Sequence, residues 1–528
     1  MSRLRQMTLE ALCTEAGISC PSEAGDTVIR GITSDSRRVE AGWLFVAIPG
    51  IHTDGAAFIS QAVERGAAAV VALPHTAHPA DIALVAHSSP RKALSLLCDA
   101  WYEHPGKKLR LVGVTGTNGK TSVSTMLAHI LRYADIPVGV IGTLGVTTPL
   151  GQKTNAAASD ATANMTTPDP EALYEILSDM AEEGTTFKEK TVVIMEVSSH
   201  ALLLEKTAPL YFDCGVFTNL TPEHLDMHGN MEDYYAAKRR LFSSCRMAVV
   251  NADDPFGERL ISDPDTSAEI WYSCHTSPIY QCVDTLHPGR CCNRVYAGQV
   301  KLQGSGGVEY RLLSPKMRVR LYCPVPGIFS VMNSMEAAVV AMTMGVAPGK
   351  IKDALSLFGG VPGRMERIPL APHIDFSVFV DYAHTPDALA NLLTSAKRLN
   401  KSGERLVLLF GCGGDRDRSK RPLMAAVASR LADFVIITSD NSRGENPSEI
   451  LDDILSGMDP SCDHVVIPDR REAIAYAIRS ARRGDVILLA GKGHETYEID
   501  NHGRHPFCEK ELVLAAIKRY HSKHTRTD

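Results

Sequence analysis

The chain has 528 residues, 44% of them hydrophobic and 22% charged, which is too long for one ordinary core and typical of a soluble protein of several domains. Its 55 Lys and Arg against 61 Asp and Glu leave a net charge of −6, which argues against nucleic acid as the main partner. Met1 to Gly17 lacks the apolar stretch of a signal peptide, no run of roughly 18 apolar residues occurs, and the thirteen cysteines are scattered apart from the vicinal Cys291-Cys292, so a reduced cytoplasmic protein without membrane span or zinc site is expected.

In chain order, Gly42 to Ile48 and Ala67 to Ala72 read as short strands with a helix, Phe58 to Gly66, between them. This alternation predicts a small α/β unit over residues 1–107. A second unit, 108–361, opens with the apolar run Leu109 to Thr115 and the periodic helix Ser122 to Tyr133. Similar runs at Thr191 to Glu196, Tyr211 to Thr218 and Met247 to Asn251 predict a mostly parallel, doubly wound sheet. Residues 274–320 are poor in helix signals and predict an irregular or antiparallel insertion. The turn Gly359 to Gly363 predicts a hinge. Beyond it, Phe376 to Asp381, Arg405 to Gly411, Asp433 to Ser439 and Asp485 to Ala490 predict further βα units in a third domain, 362–528.

Between the first strand and helix of the second unit lies Val114-Thr-Gly-Thr-Asn-Gly-Lys-Thr121. Glycines there let backbone amides turn toward phosphates at a helix N-terminus, Lys120 can reach the β- and γ-phosphates, and the Thr121 hydroxyl can ligate Mg²⁺. Five residues rather than four separate Gly113 from Gly119, a departure from the general phosphate-loop spacing. Gly116, Thr117, Asn118, Gly119, Lys120, Thr121 and Ser122 are the predicted ATP-binding residues.

That string resembles the nucleotide loop of the Mur ligases, and further matching strings follow one order along the chain. They are Thr33-Ser-Asp-Ser-Arg37, Thr166-Thr-Pro-Asp-Pro170, Met195-Glu-Val-Ser-Ser-His200, Thr218 to Asp226, Tyr235-Ala-Ala-Lys238, Val361-Pro-Gly-Arg-Met-Glu366, Val380-Asp-Tyr-Ala-His-Thr-Pro386, Gly411 to Asp417 and Gly491-Lys-Gly-His-Glu495. The resemblance implies an α/β protein of three-domain Mur ligase architecture. A uridine-nucleotide domain would precede a central P-loop-type doubly wound sheet and a C-terminal Rossmann-like domain. The implied activity is an ATP-dependent amide ligase of peptidoglycan synthesis, using two Mg²⁺ ions, a UDP-N-acetylmuramoyl-dipeptide and meso-diaminopimelate, with no nucleic-acid or membrane partner and as a monomer.

The site residues follow from the same resemblance. Thr121, Glu196, His224 and Lys238 would hold metal, Lys238 as its carbamate (N6-carboxylysine), and Lys120, Lys238 and His224 would be catalytic. Read without the family, Glu196 is a strand-end cap or surface acid and Lys238 part of a solvated helix face. Asn333, Arg364, Asp381 and His384 would complete the ATP site, although Asn333 reads equally as a helix cap, and Ser330 stands where the family has another asparagine. Ser36 and His52 would meet the uridine end, and Thr166, Thr167, Ser198 and Lys206 the dipeptide; Leu204 and Lys206 replace an expected glutamine and arginine. Arg416, Asp440, Asn441, Ser442, Arg443, Gly491 and Glu495 would form the amino-acid pocket. Arg443 suits the far carboxylate that distinguishes diaminopimelate from lysine, while pairing of Arg443 with Glu445 is the plainer alternative. The rivals are a sibling ligase that adds lysine or another diamino acid and, more remotely, a non-catalytic nucleotide-binding protein.

Overall fold

The computed structural model describes residues 5–50, 53–151, 166–276, 291–303, 306–314, 316–371, 373–399 and 404–524. Its largest sheet has ten strands. Arg110–Thr115 lies inside it, flanked by Phe212–Phe217 on one side and Val192–Glu196 on the other, all parallel. Arg110–Thr115 and Val192–Glu196 are buried almost throughout, because helices cover both faces, and so they carry unbroken apolar runs. Helix Lys120–Tyr133 turns Val123, Met126, Leu127, Ile130 and Leu131 onto the sheet at the spacing of one helix face.

The segment expected to be an irregular or antiparallel insertion extends this same sheet. Cys291–Leu302 runs parallel to Ile270–His275, and Val308–Leu313 and Arg318–Cys323 follow antiparallel. Val295, Ala297, Val308, Tyr310, Leu312 and Leu321 point into the core that helix Phe329–Thr343 shares, which is why the stretch alternates rather than reading as a helix.

Before it, Gly31–Thr33, Trp43–Val46, Ala69–Ala72 and Ala83–Ala86 make a parallel four-stranded sheet. Its residues share one continuous core with the ten-stranded sheet, running from Leu9 to Trp271. The six-stranded sheet that follows orders Glu366–Arg367, Ser377–Asp381, Val486–Ala490, Leu406–Phe410, Phe434–Ile437 and His464–Val466. Its two core clusters draw on residues 365–517, with half-buried Phe329 packed against the one that contains Met365 and Phe379. In both large sheets the singled-out residues sit at or just beyond the carboxyl ends of parallel strands, where an open α/β sheet leaves a crevice. Among the described residues no helix is long and apolar enough to cross a membrane.

Candidate functional site

The loop after Arg110–Thr115 is folded by its own backbone. Gly116 has φ 149°, and a Cβ there would lie 1.9 Å from the Thr218 hydroxyl; Gly119, at φ 90°, approaches the Asn333 side chain to 2.8 Å in the same sense. Neither position can carry a side chain without moving its neighbours. Thr117 N–H donates to Asn219 O (2.9 Å) and Asn118 N–H to Asn219 Oδ1 (2.8 Å). Thr121 and Ser122 follow in the first turn of the helix. Asn333 is the fifth residue of helix Phe329–Thr343, so it is not a cap; it lies against the loop instead.

Lys120 Nζ donates to Gly116 O and Thr117 O, both at 2.8 Å, and Lys238 Nζ donates to the same Gly116 O at 2.8 Å. Far from lying on a solvated face, Lys238 is 1% exposed and sits 4.6 Å over the Tyr234 ring. Burial, reinforced by the charge of Lys120, pushes its amine well below the ordinary lysine range. Lys120 is lowered by burial too, with Arg364 adding and Glu223 and Glu196 opposing. Glu196 is 1% exposed and accepts from the Thr121 hydroxyl (3.0 Å), the Thr143 hydroxyl (2.9 Å) and Thr143 N–H (3.1 Å), so it is no surface acid. His224, left-handed at φ 56°, packs edge-on to His200, and burial lowers its pKa, favouring the neutral imidazole that ligates metals.

Among the described residues no three His, Cys, Asp or Glu side chains gather as a metal cage. Magnesium does not require one: it keeps waters and substrate phosphates and takes one or two protein carboxylates. The buried Glu196–Thr121 pair beside the phosphate loop, with His224 and Lys238 across it and burial pushing both toward their neutral forms, is a donor set of that kind.

From the six-stranded sheet, Asp381 accepts Met365 N–H (2.6 Å) and Ala383 N–H (2.7 Å); burial raises its pKa against the pull of nearby Arg364. Arg364 itself lies over the Tyr382 ring at 4.6 Å. His384 Nε2 stands 3.5 Å from Glu223 Oε1, and Asn118 Nδ2 donates to Asp387 (3.3 Å), so both contacts bridge the two large sheets' domains. Burial alone would raise the Glu223 carboxyl, but the His384 hydrogen bond and the neighbouring His224 and Lys120 hold it far below the usual carboxylate range.

The loops after Leu406–Phe410, Phe434–Ile437 and Val486–Ala490 bring Arg416, Asp440 to Arg443, and Gly491 to Glu495 together. Asn441 is committed within the protein: Nδ2 donates to Glu495 Oε2 (2.8 Å), and Oδ1 accepts from Lys492 Nζ (2.8 Å) and Ile499 N–H (3.0 Å). Asp440 stays below the ordinary aspartate range because Lys492 and Arg470 outweigh its burial, whereas Glu495 is raised by burial and by Asp440. Arg443, at φ 52°, donates through one terminal nitrogen to Gly414 O (2.7 Å) and Asn441 O (3.3 Å). It does not pair with Glu445, which Arg421 grips at 2.9 and 3.0 Å. Ser442 is buried. A cleft of about 200 Å³ joins Glu223 and His224 on one wall to His384, Arg416, Asn441, Arg443 and Glu495 on the other.

Comparison with known families divides the chain in the same order. Residues 28–102 match the Mur ligase family, catalytic domain; 114–341 the Mur ligase middle domain; and 363–493 the Mur ligase, glutamate ligase domain. The chain belongs to the Mur ligase family. The UDP-N-acetylmuramoyl-L-alanyl-D-glutamate--2,6-diaminopimelate ligase of Clostridioides difficile (strain 630) is 39% identical over 494 residues, 93% of this chain and 95% of that one. A solved structure of a ligase of that description is 31% identical at TM-score 0.64, covering 98% of this chain and 100% of the other. The MurF ligase of Thermotoga maritima in complex with ADP, at 18% identity and TM-score 0.56 over 93% of this chain and 98% of its own, shares the fold.

In this Mur ligase the described residues expected to meet the sugar-nucleotide substrate are engaged by the protein. The Ser36 hydroxyl donates to Gln61 Oε1 (2.7 Å), and His52 lies outside the described residues. Thr166 shares a hydrogen bond with Thr143 (3.2 Å), and Thr167 bonds Glu196 O (2.9 Å) and Ser198 Oγ (3.3 Å). Ser198 caps helix Ser199–Leu203. Lys206, expected to meet a substrate carboxylate, is 2.7 Å from that of Asp169. Sequence reasoning missed Glu223, although it stands beside His224 in the quoted string Thr218 to Asp226; an acid next to a candidate metal ligand was the available signal. It also missed Arg470 and Lys492, whose burial no local pattern announces.

Proposed function

We propose that this Mur ligase joins an amine of meso-2,6-diaminopimelate to the D-glutamyl γ-carboxylate of UDP-N-acetylmuramoyl-L-alanyl-D-glutamate, with conversion of ATP to ADP and phosphate, in peptidoglycan precursor synthesis. The observation that carries this reading is a cleft with Glu223 and His224, neighbours of the phosphate-loop Lys120, on one wall and a charged amino-acid pocket on the other. In the proposed sequence a γ-carboxylate oxygen attacks the γ-phosphorus and ADP leaves. The neutral amine then attacks the acyl carbon, phosphate departs with that oxygen, and the nitrogen's extra proton is released with it as hydrogen phosphate. Lys120 and Arg364 offset the repulsion between carboxylate and triphosphate, and holding both partners in line supplies much of the rate. Mg²⁺ held through Thr121, Glu196, His224 and Lys238 would add positive charge at the same place. Lys238 supports the carbamate reading, because burial pushes it toward the neutral amine, the form that adds CO₂ and loses a proton to leave an anionic oxygen donor.

Arg416 and Arg443 face the amino acid's carboxylates and Glu495 its far amine, with Asn441 and Asp440 setting their positions. The pairing of Glu445 with Arg421 supports a substrate role for Arg443. The division at 107 and 361, a cytoplasmic monomer, and Ser36 with His52 at the uridine end complete the reading. The test is phosphate release by purified protein. It is expected only when ATP, the UDP-linked dipeptide and diaminopimelate are all present, and equal turnover with lysine overturns the specificity.

A further inference from the structure

Two arginines outside the pocket are fully buried, an expensive place for a permanent cation, and each is paired with a carboxylate and a backbone carbonyl, with only Arg421 Nε lacking a partner among their described guanidinium nitrogens. Arg470 opens helix Arg470–Arg479. Its guanidinium donates to Ser439 O (3.1 Å), to Ala490 O (2.8 Å) and to Glu509 Oε1 (2.9 Å). Ser439 and Ala490 immediately precede Asp440 and Gly491, so one fork holds the roots of two pocket loops. Arg421, in helix Lys420–Leu431, holds Gly413 O (3.1 Å), both oxygens of Glu445, and Asp453 Oδ2 (2.8 Å). Glu445 in turn accepts Asp415 N–H, and Asp415 accepts Gly444 N–H (3.0 Å). Arg421 therefore ties the Arg416 loop to the Arg443 loop, and Arg470 ties the Arg443 loop to the Glu495 loop.

We propose that Arg421 and Arg470 are positioning residues that set amino-acid specificity by clamping the three pocket loops in one register. This rests on the function proposed above and deepens it. Arg443 needs such support: its left-handed backbone is unfavourable for a residue with a side chain, and Arg443 N–H is fixed on Ile499 O (3.1 Å). A flat guanidinium donates to several acceptors in its plane at once, and a lysine ammonium cannot reproduce that geometry. A slip of about 1 Å in one loop would misplace Arg443 or Glu495 against the far end of the substrate, leaving the phosphate loop undisturbed.

The experiment compares the full-length protein with Arg470→Lys, Arg421→Lys and Glu509→Gln, the last keeping the size of the partner and a hydrogen-bond acceptor. Initial rates are taken for diaminopimelate, lysine, ATP and the UDP-linked dipeptide, with thermal melting alongside. The expected result is a KM for diaminopimelate at least tenfold higher and a preference over lysine at least tenfold lower, with kcat and the other two KM values within twofold. Folded variants with unchanged amino-acid KM and preference overturn the clamp, as does a uniform loss across all substrates, which marks general loosening. Should the arginine variants fail to fold, Glu509→Gln gives the same readout. A wild-type enzyme that prefers lysine defeats the proposed substrate but leaves the clamp to be judged on the KM for lysine.

Discussion

The two walls of the cleft treat buried charge in opposite ways. On the amino-acid side every buried cation has an anionic partner: Lys492 lies 3.5 Å from Asp440 and 3.6 Å from Glu495, Arg470 2.8 Å from Glu509, and Arg421 2.9 Å from Glu445. On the phosphate side Lys120 and Lys238 crowd onto one carbonyl, Gly116 O, and among the described residues neither makes an ion pair. The lesson is a division of labour. Closed pairs fix a shape before substrate arrives, whereas Lys120, held by carbonyls, is left for anions that the substrates bring, and burial pushes Lys238 toward its neutral amine.

Substitution at each wall can break that contrast. The largest effect is expected on the phosphate side: Lys120→Ala lowers kcat/KM for ligation by about a thousandfold or more, roughly 4 kcal/mol. Lys238→Met is expected to match it in steady-state rates. On the other wall, Arg470→Met strands Glu509 and removes two loop anchors, so urea unfolding should report a loss of about 3–5 kcal/mol. Arg443→Lys is expected to raise the KM for diaminopimelate by an amount worth about 1.5–3 kcal/mol, leaving the KM for ATP within twofold.

Lys238→Met carries a second and smaller signature. Ligand-free protein should gain about 1–2 kcal/mol of stability while losing activity, because the buried amine serves the reaction and not the fold. A loss of stability would erase the contrast. The smallest effect concerns Glu336, fully buried in helix Phe329–Thr343, where among the described residues neither carboxyl oxygen has a hydrogen-bond partner. Burial raises its pKa well above the usual glutamate value. The native state therefore holds a proton that the unfolded chain releases above about pH 4.5, and stability falls as pH rises from there toward the native pKa. Glu336→Gln removes that slope. Melting of variant and wild type should coincide near pH 4.5 and separate in the variant's favour toward pH 7, by at least about 1 kcal/mol.

Much of this was legible in the sequence because it is local. The glycines and lysine of Gly116 to Thr121 and the unbroken apolar strands report their own geometry, and Asp440 to Arg443 stands out by composition. What stayed hidden depends on long-range contact. Lys238 looks like one polar residue of a solvated helix until Tyr234 and the phosphate loop cover it. Arg470 and Glu509 are 39 residues apart and meet only where helices Arg470–Arg479 and Glu509–His524 pack together. Asn333 seemed as fit to cap a helix as to bind a ligand, and the helix had to be seen starting at Phe329 to remove the first role. The 274–320 stretch read as an insertion because its strands alternate at a sheet edge, unlike the continuous runs inside it.

The central claim is that Lys120 and Arg364 let the γ-carboxylate take the terminal phosphoryl group of ATP before the amine attacks. Mass spectrometry of the phosphate released from dipeptide carrying ¹⁸O in that carboxylate tests it directly. The account predicts one ¹⁸O atom in each phosphate formed during ligation. Unlabelled phosphate, with both heavy oxygens lost or retained elsewhere while tripeptide accumulates, would contradict it.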